Sequence, residues 1–458
     1  MDESQIKSVI QKQKEFFATG ITRKVTFRKS QLKRLYKAIT QAEDDIKAAI
    51  FKDFKKPPFE SFLTEIGIIL HELKFLIRKV DSLAKPKKVK TPLFAFPGSS
   101  YIYNEPYGVA LIISPWNYPF QLSFSPLIGA IAAGNCCVLK LSPYTPAISG
   151  VIRRILEDTF LDEYITVVEG HRDVNQILLK QRFDFIFFTG SPQLGRVVME
   201  SAAKNLTPVV LELGGKSPCV ICEDANLKIA ARRILWGKMV NAGQTCVAPD
   251  YLLVSSSVKD ELVKLILKEL KLFYGENLKK SNDFSRIISN ESFERLSGYL
   301  KEGNVLNPAL PDKDDLFMPL VLLDNVRDNS KVMQDEIFGP VLPLITFDRD
   351  EEAVSYILKK EKPLAFYLFT TSKKRERFYL ENVSSGGVCV NDTLLHTGNY
   401  NLPFGGVGYS GIGKYHGIFS FETFSNKKAV FKNSNLIDIK LRYPPYTKKK
   451  EKIAKLFF

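Results

Sequence analysis

Three short runs carry residues that could do chemistry on a carbonyl. Asn241-Ala242-Gly243-Gln244-Thr245-Cys246 ends in a thiol. Leu211-Glu212-Leu213-Gly214-Gly215-Lys216 offers a carboxylate upstream of it. Ser114-Pro115-Trp116-Asn117-Tyr118-Pro119-Phe120 offers the side-chain amide of Asn117. A thiol nucleophile, a carboxylate base and a donor for a developing oxyanion are the parts of covalent catalysis on a carbonyl. Each residue also has a plainer use. A cysteine is often a small buried hydrophobe, a strand-end glutamate often sits in an ion pair, and an asparagine between prolines often shapes a turn.

Two glycine-rich runs compete for a dinucleotide. Gly406-Val407-Gly408-Tyr409-Ser410-Gly411 matches the G-x-G-x-x-G pattern, but no strand leads into it, and Gly405 and Gly413 extend it as a loop. It reads as a shaped loop near the active site. Phe187-Phe188-Thr189-Gly190-Ser191-Pro192-Gln193-Leu194-Gly195 is the better candidate. An apolar run enters a glycine turn, Ser191 can cap a helix, and Pro192 suits its first position. Such a helix start can receive a phosphate. Lys140, at the end of an apolar run, lies where wound sheets bind ligands, although a solvated strand-end lysine is the plain alternative.

The remaining chemistry-bearing residues are sparse. Cys219 and Cys222 form a C-x-x-C, but residues three apart on a strand face opposite sides. Cys136, Cys137 and Cys389 read as core. The 4 histidines show no ligand spacing, so no metal is implied. The formal net charge is +15, with lysines spread along the chain. No helix carries a basic stripe and no nucleic-acid motif appears, so a solvated lysine-rich surface is the reading, without nucleic acid. The polar start and the low cysteine content favour a reducing cytoplasm.

These residues need a framework to bring them together. A chain of 458 residues is too long for one core, so two or three domains are expected. Residues 1–85 read mostly as helix, with apolar spacing over 31–51 and again over 63–80. Lysines and prolines over 85–98 mark an extended excursion. Strand and helix then alternate: strands at 108–113, 137–140, 164–168, 183–188 and 208–213, helices at 122–133, 146–160 and 192–204. This predicts an α/β fold with a parallel sheet wound on both faces. The uncharged stretch 106–139 is interrupted by Pro115, Pro119 and Pro126, which argues against a membrane span. A second block follows, with Asp224 as N-cap of a helix to about 240 and strands at 252–254, 339–347, 364–369 and 387–390. A last strand is expected within 436–446, before a basic tail.

Taken together, the runs at 114–120, 188–195, 211–217 and 241–250, with Glu336-Ile337-Phe338-Gly339-Pro340, Asn391 and Pro403-Phe404-Gly405-Gly406, resemble the aldehyde dehydrogenase superfamily. The Arg442-Tyr443-Pro444-Pro445-Tyr446 ending and the short N-terminus resemble its class 3 branch. The resemblance implies a Rossmann-like cofactor domain (1–85 and 105–212), an α/β catalytic domain (213–392) and a return to the cofactor domain with an active-site loop (393–430). It also implies a small β oligomerisation arm (86–104 and 431–446). It implies oxidation of an aldehyde to a carboxylic acid with NAD and/or NADP. Cys246 would be the nucleophile, Glu212 the general base and Asn117 the oxyanion donor. Trp116, Lys140, Gly190, Ser191, Gly195, Leu213, Glu336 and Phe338 would contact the cofactor. Tyr118, Trp236 and His396 would line the substrate tunnel.

One departure bears on the cofactor. The family pattern places a glutamate three residues after the strand lysine, where it accepts from ribose hydroxyls and repels a 2′-phosphate. Here that position is Pro143, so NADP is expected to be tolerated. Two rivals remain: an acylating enzyme that hands the thioester to coenzyme A, and a silent relative kept for binding or structure. A homodimer is implied by the resemblance. The tail 447–458 reads either as a solvated end or as a weak peripheral contact with an anionic membrane surface.

Overall fold

The structure, a computed structural model, describes residues 1–457. Its first sheet has six strands in the order Gly411–Ile412, Val209–Leu213, Phe185–Gly190, Val109–Ile113, Cys136–Lys140, Ile165–Val168. All neighbours run parallel except the first pair. The central strands are apolar, apart from the terminal Lys140, and buried on both faces, which is what a sheet covered by helices on each side requires. Strand order reverses between Val109–Ile113 and Phe185–Gly190. The carboxyl ends of those two strands therefore open onto the crevice where such sheets bind ligands. Residues 114–117 and Gly190–Ser191 lie there in sequence.

A second sheet of seven strands follows the order Asn304–Val305, Val321–Asp324, Val341–Phe347, Tyr251–Ser255, Pro218–Ile221, Ala365–Phe369, Gly387–Val390. Only its first pair is antiparallel. Cys246 lies just before Tyr251–Ser255, so the thiol enters at the amino end of this sheet. The third sheet is small and antiparallel: Lys87–Val89, Ser99–Pro106, Ser425–Lys432. Among the described residues, no helix is long and apolar enough to cross a membrane.

Several expectations need correction. The stretch 31–51 is not one helix: Val25–Gln41 and Glu43–Phe54 meet at Ala42. Glu43, Asp44 and Asp45 favour a fresh N-terminus there, where negative charge meets the helix dipole. Pro126 does not interrupt its helix but lies inside Gln121–Ala133, a helix buried all round. Burial on every side holds the helix together where an exposed one would break.

Asp224 is not the cap of the next helix. Asn226 caps Leu227–Met239 by accepting from the Ile229 N–H at 3.3 Å. Asp224 instead accepts from the N–H groups of Thr371 and Ser372, the hydroxyls of Thr370 and Thr371, and the Arg375 guanidinium. The last strand is Ser425–Lys432, not 436–446, which holds only the short 3₁₀ turn Lys440–Arg442. Pro444 and Pro445 have no N–H to give a ladder. The strand that does form pairs along the whole of Ser99–Pro106 through its backbone. The helix Arg172–Lys180 and the strand Val321–Asp324 are further elements that the expectations from sequence do not include.

Candidate active site

The thiol loop is built on an uncommon backbone. Leu227–Met239 runs into a 3₁₀ turn in which Asn241 and Ala242 adopt left-handed φ values of 53° and 51°. Gly243 follows at φ 73°, and a Cβ there would sit 2.4 Å from the Gly339 carbonyl oxygen, so only glycine fits. Side-chain amides hold this path. Asn241 Nδ2 donates to the Asn117 carbonyl at 2.8 Å and the Gln244 carbonyl at 3.1 Å. Gln244 Nε2 donates to the Arg286 carbonyl at 3.0 Å, and its Oε1 accepts from the Ile288 N–H at 2.9 Å. Asn117 Nδ2 donates to the Gln244 carbonyl at 3.1 Å, which binds the amide run to the thiol run.

Cys246 stands at the junction of two spaces. A cleft of about 220 Å³ is lined by Cys246, Glu212, Asn117, Trp116, Gly190, Ser191, Leu213, Glu336 and Phe338, among others. A larger cavity of about 600 Å³ opens on the other side, lined mainly by apolar groups that include Tyr118, Leu122, Trp236, Val240, Leu394 and Tyr400. Cys246, Leu122, Phe404 and Tyr415 line both. Trp116 and Phe338 meet edge to face at 5.4 Å across the cleft.

Electrostatically, burial biases the acids of the site towards their neutral forms. Burial, then the Glu336 and Glu212 carboxylates, push the Cys246 thiol far above its ordinary value, opposed by the Cys246 and Val247 N–H groups. Burial also pushes the Glu212 carboxyl well above the usual range, with Lys414 pulling the other way. Neither Glu212 oxygen has a hydrogen-bond partner. Glu336 is raised to about 8 by burial and the nearby Asp250. Its Oε1 has no partner, and a Cβ on Gly214 would collide with its Oε2 at 1.9 Å. Gly214 is bare so that this carboxylate can lie flush against the backbone.

Sequence reasoning and structure agree on much of this grouping. Seven of the cleft residues just named, with Cys246 and Glu212, were expected from the runs; two expected contacts face elsewhere. Lys140 is buried and donates to the Leu141 carbonyl at 2.7 Å. Gly195 lies under the cleft, where a Cβ would meet Leu213 at 2.6 Å, so its bareness serves helix-on-sheet packing. His396 is a correction. It does not line the large cavity but packs edge to face on Tyr367 at 6.0 Å and beneath Gly387. The neighbouring Leu394, Leu395 and Thr397 form that wall instead. Tyr415, in Gly413-Lys414-Tyr415-His416-Gly417, was missed, because nothing in that run marks a ring that borders both spaces. The Gly405–Gly413 loop does reach the site: a Cβ on Gly405 would lie 2.7 Å from Glu212 Oε1, and Gly411 pairs with Glu212.

The cleft suits the reactive end of a nicotinamide dinucleotide. Ser191 caps Pro192–Ala203 by accepting from the Leu194 N–H at 3.4 Å, with Pro192 at the first position and the helix start bordering the cleft. The unpartnered Glu336 oxygen is a ready acceptor for a ribose hydroxyl. Among the described residues, no group of three or more His, Cys, Asp or Glu could hold a metal.

Comparison with known proteins fits this geometry. A family model described as "Aldehyde dehydrogenase family" matches residues 1–430. The 4,4'-diaponeurosporen-aldehyde dehydrogenase of Staphylococcus aureus is 46% identical over 447 residues, 97% of each chain. The dog enzyme named "Aldehyde dehydrogenase, dimeric NADP-preferring" is 41% identical, over 96% of this chain and 98% of its own. A solved structure described as the substrate-bound state of Staphylococcus aureus AldH superposes with a TM-score of 0.97 at 45% identity, covering 99% of each chain.

Proposed function

We propose that this chain, which belongs to the aldehyde dehydrogenase family, oxidises a bulky apolar aldehyde to its carboxylic acid through a covalent adduct on Cys246. The observation that carries this reading is the placement of one thiol between an apolar cavity of about 600 Å³ and a smaller cleft that holds an unpartnered carboxylate. The cofactor is NAD, NADP or both.

The aldehyde enters through the apolar cavity, whose walls exclude water and favour medium-to-long aliphatic or aromatic chains. Sγ of Cys246 attacks the carbonyl carbon as its proton passes to a neighbouring carboxylate. The Cys246 backbone N–H and the Asn117 amide receive the developing oxyanion. A nicotinamide held in the cleft would supply the hydride acceptor for the adduct, which is the cofactor's own chemistry. Glu336 and Phe338 would orient it, the first through the ribose and the second by packing. Cys246 is then left in a thioester. Glu212, biased by burial towards taking a proton, removes one from water; the hydroxide adds to the thioester carbon and expels the Cys246 thiolate, which takes that proton back from Glu212 as the acid leaves.

Pro143 leaves the adenosine end without a repelling carboxylate, so NADP is accepted at a rate comparable to NAD. The name of the dog relative supports this expectation. The exposed apolar side chains Leu93, Phe96 and Phe431 on and beside the small antiparallel sheet support a homodimer. Six free thiols suit a reducing cytoplasm. The basic helix Lys448–Ala454, followed by exposed Leu456 and Phe457, supports a weak contact with anionic lipid.

The test follows reduced nicotinamide by absorbance with a medium-chain aldehyde, with NAD and NADP run separately, each with and without coenzyme A. Turnover without coenzyme A that vanishes in Cys246→Ala is the expected result. Turnover only with coenzyme A would replace hydrolysis by acyl transfer. A strong preference for NAD would remove the Pro143 argument.

A further inference from the structure

The N-terminal helices reach the active site through one segment. Pro58–Ser61 begins as α-helix, Phe62–Ile66 is a π turn, and Gly67–Leu83 continues as α-helix. In an α-helix, residues five apart point about 140° away from one another. A π turn closes i→i+5 bonds and brings such residues towards one face, and it is often found at functional sites. Glu60 and Glu65 are so spaced.

Each carboxylate holds the backbone of one active-site loop. Glu60 Oε1 accepts from the Asn241 N–H at 2.7 Å, at the first of the two left-handed residues that lead to Cys246. Glu65 Oε2 accepts from the Phe120 and Gln121 N–H groups at 2.9 and 3.3 Å, just beyond Asn117. Its other oxygen takes Lys56 Nζ at 2.8 Å, with both side chains fully buried. The left-handed conformation is tolerated by asparagine but avoided by alanine, so at Ala242, directly after Asn241, it persists only where its surroundings hold it.

We propose that Glu60 and Glu65 are positioning residues for the reaction. The π turn presents them together, and they set the thiol loop against the oxyanion-donor loop. This rests on the catalytic reading given above.

The test compares Glu60→Ala with Glu60→Gln, since glutamine keeps an acceptor oxygen for the Asn241 N–H and alanine does not. Turnover and the rate of Cys246 alkylation by iodoacetamide are measured well below the lowest melting midpoint of the set. Glu60→Ala is expected to lose about 100-fold in kcat with KM changed less than about threefold, the scale of a misplaced reacting group. Its alkylation rate should shift as well, and Glu60→Gln should recover most of both losses. An alanine variant within about threefold of the parent in kcat, or a glutamine variant as impaired as alanine, would overturn the proposal. If the parent does not turn over an aldehyde, the catalytic reading fails, while the alkylation rates still report whether Glu60 sets the thiol loop.

Discussion

Asp224 and Glu212 are both carboxylates at the ends of parallel strands, and the protein treats them in opposite ways. Asp224 follows Pro218–Ile221 and gathers donors from Thr370, Thr371, Ser372 and Arg375. Burial raises its pKa, but these hydrogen bonds together outweigh burial and hold the carboxyl well below the usual range. Glu212 ends a strand of the first sheet with no partner on either oxygen, and burial holds it well above that range. One carboxylate is saturated and locks two segments together. The other is kept empty, at a cost in stability, facing the thiol. A buried polar group without a partner is expensive, so an unsatisfied one beside a nucleophile marks a place where stability was given up for reactivity.

The largest effect that would sharpen this contrast is in turnover. Glu212→Gln should lower kcat by about 1,000-fold, within the range for losing a general base, while the melting midpoint stays level or rises. Pre-steady-state kinetics should still show one rapid equivalent of reduced cofactor, because only thioester hydrolysis is stalled. A variant that turns over normally, or that melts lower, would put Glu212 in the same class as Asp224. The converse change comes next in size. Asp224→Ala should cost about 2–4 kcal/mol, because the Arg375 guanidinium and several backbone donors lose their acceptor at once. Denaturant midpoints would measure this. The kcat of the folded fraction should be unchanged, and a drop would mean that the buttress and the cleft are coupled.

The same pair shows what a sequence reveals and what it hides. Glu212, Cys246 and Asn117 stand in contiguous runs, and a covalent mechanism dictates both the residue types and their surroundings, so they were legible. Most apolar strands of both parallel sheets were legible too, since burial on two faces leaves little else they could be, although Val321–Asp324 was not among those expected. Asp224 was misread because an acid just before an apolar run looks like a helix cap, while its real partners lie about 150 residues away in sequence. Ser425–Lys432 was missed because it is mostly exposed and holds its place through backbone pairing, which no side-chain pattern reports. His396 lies in the right loop, but the direction of a side chain in irregular backbone is settled by packing. Glu60 and Glu65 were invisible because a π turn changes which residues share a face.

The smallest effect expected is a difference in pH dependence, and it tests the contrast without removing a catalytic proton carrier. Glu336 shares the environment of Glu212: one oxygen has no partner, and burial and Asp250 raise it to about 8. An unfolded glutamate releases its proton near pH 4.3. Between that pH and about 8, the folded protein keeps a proton that the unfolded chain has lost, so this residue makes folding less favourable as pH rises. Asp224 has the opposite sign. Its folded pKa is depressed, so its contribution is complete above about pH 4 and is lost only as pH falls further. Glu336→Gln should therefore leave the midpoint nearly unchanged at pH 5 and raise it at pH 8, by about 1 kcal/mol once solvent access through the cleft is allowed for. Asp224→Asn should show its full loss at both values. Thermal melts of the two variants and the parent, at both pH values and without cofactor, measure this directly. Parallel pH profiles would mean that Glu336 meets a partner in solution and that the cleft is less empty than its geometry implies.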